Sequence, residues 1–227
     1  MSGLKEIRNR ISSVSSTMQI TNAMKMVSAA KLKKAQDSIT ATLPYSNKLS
    51  DLVKNISASI DSVDSNPLFV KREVKSALVI VITSNKGLCG GFNSNIIKEV
   101  YNISSQYGSK KPDLLTIGKK GNDILKKKFN VISSHNDLDL QGDYIFEPNR
   151  EKILNELIPK TLSIQLFKSI ADSIAGEHGA RMTAMHKATD NATELRNQLK
   201  LTYNKARQAA ITNEILEIVG GAEALNG

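Results

Sequence analysis

No proline occurs after Pro159, and from Met185 onward small and apolar side chains recur in alternating steps of three and four: Met185, Ala188, Ala192, Leu195, Leu199, Thr202, Ala206, Ala209, Asn213 and Leu216. Such a seam specifies a helix that lies along a partner. A helix over residues 160–219 would be about 90 Å long at ~1.5 Å per residue, longer than a compact domain of this size is wide. Much of it must project, and a projecting helix needs a partner along its length, because helical stability in water comes mainly from burying such a face.

The other end of the chain offers that partner. Leu4, Ile7, Ile11, Val14 and Met18 form a second three-four series that drifts onward through Met24 and Val27. The first proline is Pro44, which allows a first helix of about 40 residues, capped by Ser2 with Glu6 facing the positive end of its dipole. The two termini are therefore expected to form a long antiparallel coiled coil, left-handed because the hydrophobic period is 3.5 residues.

Between the helices the pattern changes. A Ser- and Asn-rich tract ends at Asn66-Pro67, and residues 61–67 read as the exit from the first helix. Residues 76–83, SALVIVIT, are a continuous β-branched run, expected as a strand buried on both faces. SNKGLCGGFN, a helical stretch over 94–106 and a strand over 114–117 complete a βαβ unit. Gly118 to Gly121 closes the second strand, residues 123–128 begin another helix, and residues 144–146 form one more short strand ended by Pro148. Asn149 caps a short helix over 150–158, and Pro159 restarts the chain into the long terminal helix. The expected fold class is α/β: the coiled coil plus a small Rossmann-like βαβ central domain, with boundaries at 1–66, 67–148 and 149–227.

Charge and composition bound the partners. The 227 residues carry a net charge of +9, with aromatic content of 4% and no Trp, which suits helices packed pairwise better than one thick core. Residues 1–40 hold seven of the basic residues against Glu6 and Asp37, beside Met24, Met26 and Val27. Acidic partners follow: an acidic protein, an anionic membrane surface or nucleic acid. The single Cys89 excludes an intramolecular disulfide and fits a reducing compartment. Neither a secretory signal nor an apolar run long enough to span a membrane is present.

The motifs of chemistry are weak. Gly87-Leu88-Cys89-Gly90-Gly91 follows a strand, but has neither GxxxxGK[ST] nor GxGxxG, so a tight strand-to-helix turn outweighs a nucleotide-binding loop. Its GxxG also occurs in KH domains, in a different helix context. His178 and His186 stand eight apart, unlike the one-turn pairs of zinc helices; His135 is alone; Cys89 has no neighbouring His at a recognised spacing. With no catalytic constellation, the expectation is a mechanical or binding role without a cofactor.

Three stretches resemble the gamma subunit of the F-type ATP synthase, the central shaft of its F1 sector: RNRISSVSSTMQITNAMKMVSAAKLKKAQ at 8–36, ITSNKGLCGGFNSNI at 82–96 and ATDNATELRNQLKLTYNKARQAAITNEILEIVGGAEAL at 188–225. The resemblance implies a non-catalytic rotor shaft inserted into a ring of three alpha and three beta subunits, one copy per complex. It would contact the epsilon subunit and the c-ring and couple proton-driven c-ring rotation to ATP synthesis or hydrolysis in the ring. It would lie peripherally at the cytoplasmic face of a bacterial plasma membrane. By the same resemblance Met24, Lys25, Lys31 and Lys33 meet the acidic lever of beta, and Arg207, Gln208 and Thr212 hydrogen-bond the loops that grip the shaft. Ile215, Leu216, Ile218, Val219 and Leu225 belong to a tip in an apolar sleeve, and Tyr144 and Glu147 to the foot on the c-ring.

One departure stands out. Between Leu140 and Gln141 the family has a further helix and strands, and here NVISSHNDLDL runs directly into QGDYIFEP, through a shortened domain or an omitted stretch. Two other readings compete with the shaft. A basic coiled-coil module that binds nucleic acid would show steep salt dependence, although it lacks aromatics beside its basic residues. An enzyme using the Gly87 loop would bind ATP as an isolated chain.

Overall fold

The computed structural model describes residues 2–58, 76–107, 111–135 and 150–226. They form two long helices, α1 (Ser2–Ala58) and α4 (Arg150–Asn226), and between them β1 (Leu78–Ile82), α2 (Phe92–Gln106), β2 (Asp113–Ile117), α3 (Lys119–Leu125) and β3 (Val131–His135). The chain divides into two compact units, one of Met1–Val27 with Met182–Gly227 and one of Ser28–Arg181.

In the first unit the less exposed positions of α1 include Leu4, Ile7, Ile11, Val14, Met18, Thr21 and Lys25, an uninterrupted three-four series. Those of α4 include Met185, Thr189, Ala192, Arg196, Leu199, Tyr203, Ala206 and Ala210. The hydroxyls of Thr21 and Thr189 share a hydrogen bond of 2.8 Å, and Thr193 Oγ1 donates to Met18 Sδ at 3.3 Å. The two helices thus meet in opposite chain order.

Part of the expected seam is corrected. Leu195 is 47% exposed, and Thr202, Ala209, Asn213 and Leu216 are exposed, as is Val27 on α1. Thr189, Arg196, Tyr203 and Ala210 take the inward positions instead. Where helices approach at small residues, a threonine that also bonds its own helix fits better than a branched leucine: Thr189 and Thr193 hydroxyls reach back to Met185 O and Thr189 O. Continuing the contact order brings Leu4 opposite about residue 206. Beyond Ala210 every described side chain of α4 is exposed, because the described part of α1 has no residue left to face it.

Pro159 was expected to restart a helix and does not: it lies inside α4, as Pro44 lies inside α1. Each sits on an exposed position, where the carbonyl deprived of its N–H partner is turned toward solvent. The inward series continues past Pro44 through Ser46 and Leu49, both buried, and this burial holds the helix together.

In the second unit the sheet is three-stranded and parallel in the order β1-β2-β3, with α2 and α3 as crossovers, the arrangement of half a doubly wound sheet. Val81, Leu114, Ile97 and Val100 of α2, and Leu125 of α3 form its core, against which Tyr101 and Phe129 pack with ring centroids 5.4 Å apart. Both helices cover the same face. The other face of β1 is therefore open among the described residues: Leu78 is 53% and Ile80 41% exposed, so the expectation of a strand buried on both sides fails. The third helix starts at Lys119, earlier than residue 123, and β3 was not anticipated at all. The inferred exit over 61–67, the strand at 144–146, the caps at Pro148 and Asn149, and the junction at Leu140-Gln141 lie outside the described residues.

Candidate functional site

The turn that carries GLCGG is built from its own polar atoms. Leu88 and Gly90 take the left-handed conformation, with φ of 64° and 57°, which reverses the chain between β1 and α2. Ser84 N donates to Asn93 Oδ1 at 3.0 Å, and Asn93 Nδ2 donates to Ser84 Oγ at 2.7 Å and to Cys89 Sγ at 3.3 Å. Ser84 Oγ in turn donates to Lys86 O at 2.7 Å. Cys89 is buried beneath the turn. A thiol there has neither access nor a base.

A phosphate cradle needs unspent amides. The neighbouring turn has none at the first residues of α3: Lys119 N donates to Asn85 Oδ1, Lys120 N to Ser84 O and Gly121 N to Thr83 Oγ1, at 3.0, 3.1 and 2.9 Å. Gly118, at φ 100°, passes so close to β1 that a Cβ there would lie 2.0 Å from Thr83 O. The two glycine turns lock each other, which agrees with the structural reading of this motif.

From the other side Arg181 clasps the turn. Its Nη2 donates to Lys86 O at 3.0 Å and Gly87 O at 3.2 Å, while Nη1 donates to Glu177 Oε1 at 2.6 Å. The guanidinium is almost fully buried, and each carbonyl removes part of its desolvation cost. Beside it His178 is held below its usual pKa by burial, with Glu177 pulling upward against the opposing charges of Arg181 and Lys31. Sequence reasoning noticed Glu177 and His178 and missed Arg181. The available signal was the Glu177/Arg181 spacing of four on one helix face.

The expected contact residues are distributed over both units. Met24 and Lys25 are half-buried on α1, next to exposed Met26 and Val27. Lys31 and Lys33, in the second unit, are exposed. On α4, Arg207, Gln208 and Thr212 are exposed, and helical spacing places Gln208, Thr212 and Leu216 along one stripe and Arg207, Ile211, Ile215 and Ile218 along another. Ile215, Leu216, Ile218 and Val219 are each more than half exposed, a run of exposed apolar side chains on one helix. The side chain of Leu225 and both Tyr144 and Glu147 lie outside what is described. Among the described residues no group of His, Cys, Asp and Glu can hold a metal ion, and no helix is long and apolar enough to cross a membrane.

The model of the ATP synthase family matches residues 3–143 and 138–225, two segments that meet at the Leu140-Gln141 junction. The ATP synthase gamma chain of Flavobacterium johnsoniae is 54% identical over 286 residues, and that of Cytophaga hutchinsonii 42% over 294, each with all of both chains covered. Set against 227 residues, the 286-position alignment leaves at least 59 positions with no residue in this chain. A chain from Euglena gracilis mitochondrial ATP synthase superposes with a TM-score of 0.64 at 18% identity, covering 99% of this chain and 95% of that one. One from the central stalk and c-ring of the Tetrahymena thermophila enzyme gives 0.60 at 22%, covering 74% and 99%. With its paired terminal helices, its β1-β2-β3 sheet and these full-length identities, the chain belongs to the ATP synthase gamma chain family.

Proposed function

We propose that this chain is the rotor shaft of a rotary ATP synthase, a central-stalk subunit that performs no catalysis itself and takes no cofactor. The observation that carries the reading is the helix pair: α1 and α4 meet in opposite chain order, and α4 continues past the pairing as a single helix with exposed apolar side chains. In this reading the helices wind as an antiparallel coiled coil inside a ring of three alpha and three beta subunits. A single asymmetric shaft touches three equivalent subunits differently. Each orientation then gives a different contact energy to open and closed states of beta, which is the only means by which a partner shifts such an equilibrium.

The residue roles are those the resemblance implies, supported by the exposure of Lys31, Lys33, Arg207, Gln208, Thr212, Ile215, Leu216, Ile218 and Val219. Met24, Lys25, Lys31 and Lys33 face the acidic lever of beta, which accounts for the positive charge of residues 1–40 without nucleic acid. Arg207, Gln208 and Thr212 are gripped by ring loops, and Ile215, Leu216, Ile218, Val219 and Leu225 turn in an apolar sleeve. Tyr144 and Glu147 form the foot on the c-ring, with epsilon alongside, at the cytoplasmic face of the membrane. A central domain shortened after residue 140, or a stretch omitted there, would fit the open face of β1. Subunit stoichiometry by native mass spectrometry of the complex released from its source membranes tests the reading. One copy with three alpha and three beta subunits is expected; a free chain, or one eluting with nucleic acid in a salt-sensitive manner, would overturn it.

A further inference from the structure

Each terminal nitrogen of the Arg181 guanidinium carries two hydrogens, and each has two acceptors within reach. Nη2 donates to Lys86 O at 3.0 Å and Gly87 O at 3.2 Å, while Nη1 donates to Glu177 Oε1 at 2.6 Å and lies 3.5 Å from His178 Nδ1. Arg181 is 8% exposed, so the set is largely shielded from water. The three oxygens remain acceptors throughout the neutral range. His178 differs: with its proton on Nε2 it offers Nδ1 as an acceptor, and one further proton turns Nδ1 into a donor.

That proton sets N–H against N–H and brings an imidazolium 3.5 Å from a guanidinium. Among the described residues the other charges about His178 do not relieve the conflict. Lys31 of α1 adds a further cation, Lys34 of α1 lines the same crevice, and Glu177 of α4 is already paired with Arg181. From the turn Lys86 offers its carbonyl, its side chain being exposed. We propose that His178 is a proton-operated catch on the β1–α2 turn: neutral, it accepts from Arg181 and the guanidinium holds both carbonyls; protonated, it drives Arg181 off them and the turn opens over Cys89. Cys89 is 2% exposed beneath that turn, its Sγ accepting from Asn93 Nδ2 at 3.3 Å.

The sign follows from the closed state. Burial, aided by Arg181 and Lys31 and opposed by Glu177, holds His178 below its usual pKa while the turn is shut. Opening returns the ring to water, so protons favour the open turn as the pH falls below about 6.5. All of these groups lie in the second unit, and the catch does not depend on the shaft reading.

The single thiol reports the opening. Cys89 in the full chain is modified with 4,4′-dithiodipyridine, which reacts with thiols in acid as well as in neutral solution. The rate is compared with that of His178→Gln, whose amide oxygen accepts from Arg181 at every pH. Taking the ratio of wild type to variant cancels the pH dependence of the reagent and of the thiol itself. That ratio should rise at least about threefold between pH 7.5 and 5. Amide exchange of the wild type alone supplies a second measurement: protection over residues 84–91 should fall before that over residues 97–100 as the pH is lowered. A ratio independent of pH, unchanged protection over residues 84–91, or equal loss over both segments would overturn the proposal.

Discussion

Thr21 and Thr189 face one another across α1 and α4 with their hydroxyl oxygens 2.8 Å apart, and each also bonds a carbonyl of its own helix, Met18 O and Met185 O respectively. A polar pair at inward positions of an otherwise small-residue seam fixes which residues lie opposite which. Thr21→Val alone leaves the Thr189 hydroxyl without its cross-helix partner and should cost about 1 kcal/mol; the double change to Val should cost less than the two single changes summed. A double-mutant cycle from urea unfolding of the chain checks this. Strict additivity would mean that the hydroxyls do not interact.

Arg181 ties the β1–α2 turn through two carbonyls and one carboxylate. Arg181→Met keeps the length and apolar stem but loses all three, leaving Glu177 partly buried without its cation, and should cost about 2–3 kcal/mol. The loss should be local as well as global: amide exchange over residues 84–91 should accelerate more than that over Ile97 to Val100. Uniform acceleration would show that Arg181 acts through helix stability alone.

His178 gives a pH dependence with a definite sign. Its folded pKa lies below 6.5 because burial, aided by Arg181 and Lys31 and opposed by Glu177, disfavours the cation. The unfolded chain therefore binds a proton first as the pH falls below about 6.5, so this contribution is fully present above that value and is lost toward the lower folded pKa. Denaturant midpoints of wild type and His178→Gln measured from pH 7.5 to 5 should converge as the pH falls. Parallel curves would rule out His178 as the source.

Gly118 is required twice over, by its φ of 100° and by the 2.0 Å that would separate a Cβ from Thr83 O. Gly118→Ala must push β1 away from the start of α3 and should cost more than about 2 kcal/mol. Gly87→Ala, whose added Cβ would come no nearer than 3.9 Å to Lys120 Cε, should be close to neutral. Thermal unfolding of the two variants side by side measures the contrast.

The parts legible in the sequence were those that one periodicity decides. The series Leu4, Ile7, Ile11, Val14 and Met18 was read correctly because nothing but α4 covers that face. On α4 the reading followed leucines and missed Thr189, Arg196 and Tyr203, since side-chain volume at a close helix contact is not a property of one helix. Pro159 was read as a restart because a sequence does not say which way a ring faces. The strand VISSH has too few apolar residues to announce itself; its pairing with β2 supplies the stability. Arg181 was missed because Lys86 and Gly87, whose carbonyls it binds, lie far away in the chain, which left its spacing of four from Glu177 as the one signal.

Met24 tests the coupling role directly. It is half-buried on α1, beside exposed Met26 at 58% and Val27 at 57%, so a longer polar side chain there can reach solvent or a partner without unpacking the helix pair. Met24→Lys adds a cation to a segment already rich in them, and an acidic lever on beta would hold it too tightly in one orientation of the shaft. The extra attraction deepens one rotational state and raises the barrier for leaving it, so the transport-to-hydrolysis ratio should fall while assembly is preserved. Proton pumping and ATP hydrolysis measured together in membrane vesicles check this, with native mass as the control for assembly. High salt should partly restore coupling, because the added interaction is electrostatic and lies near the surface. An unchanged ratio, or a loss that salt does not relieve, would show that Met24 does not face an acidic partner.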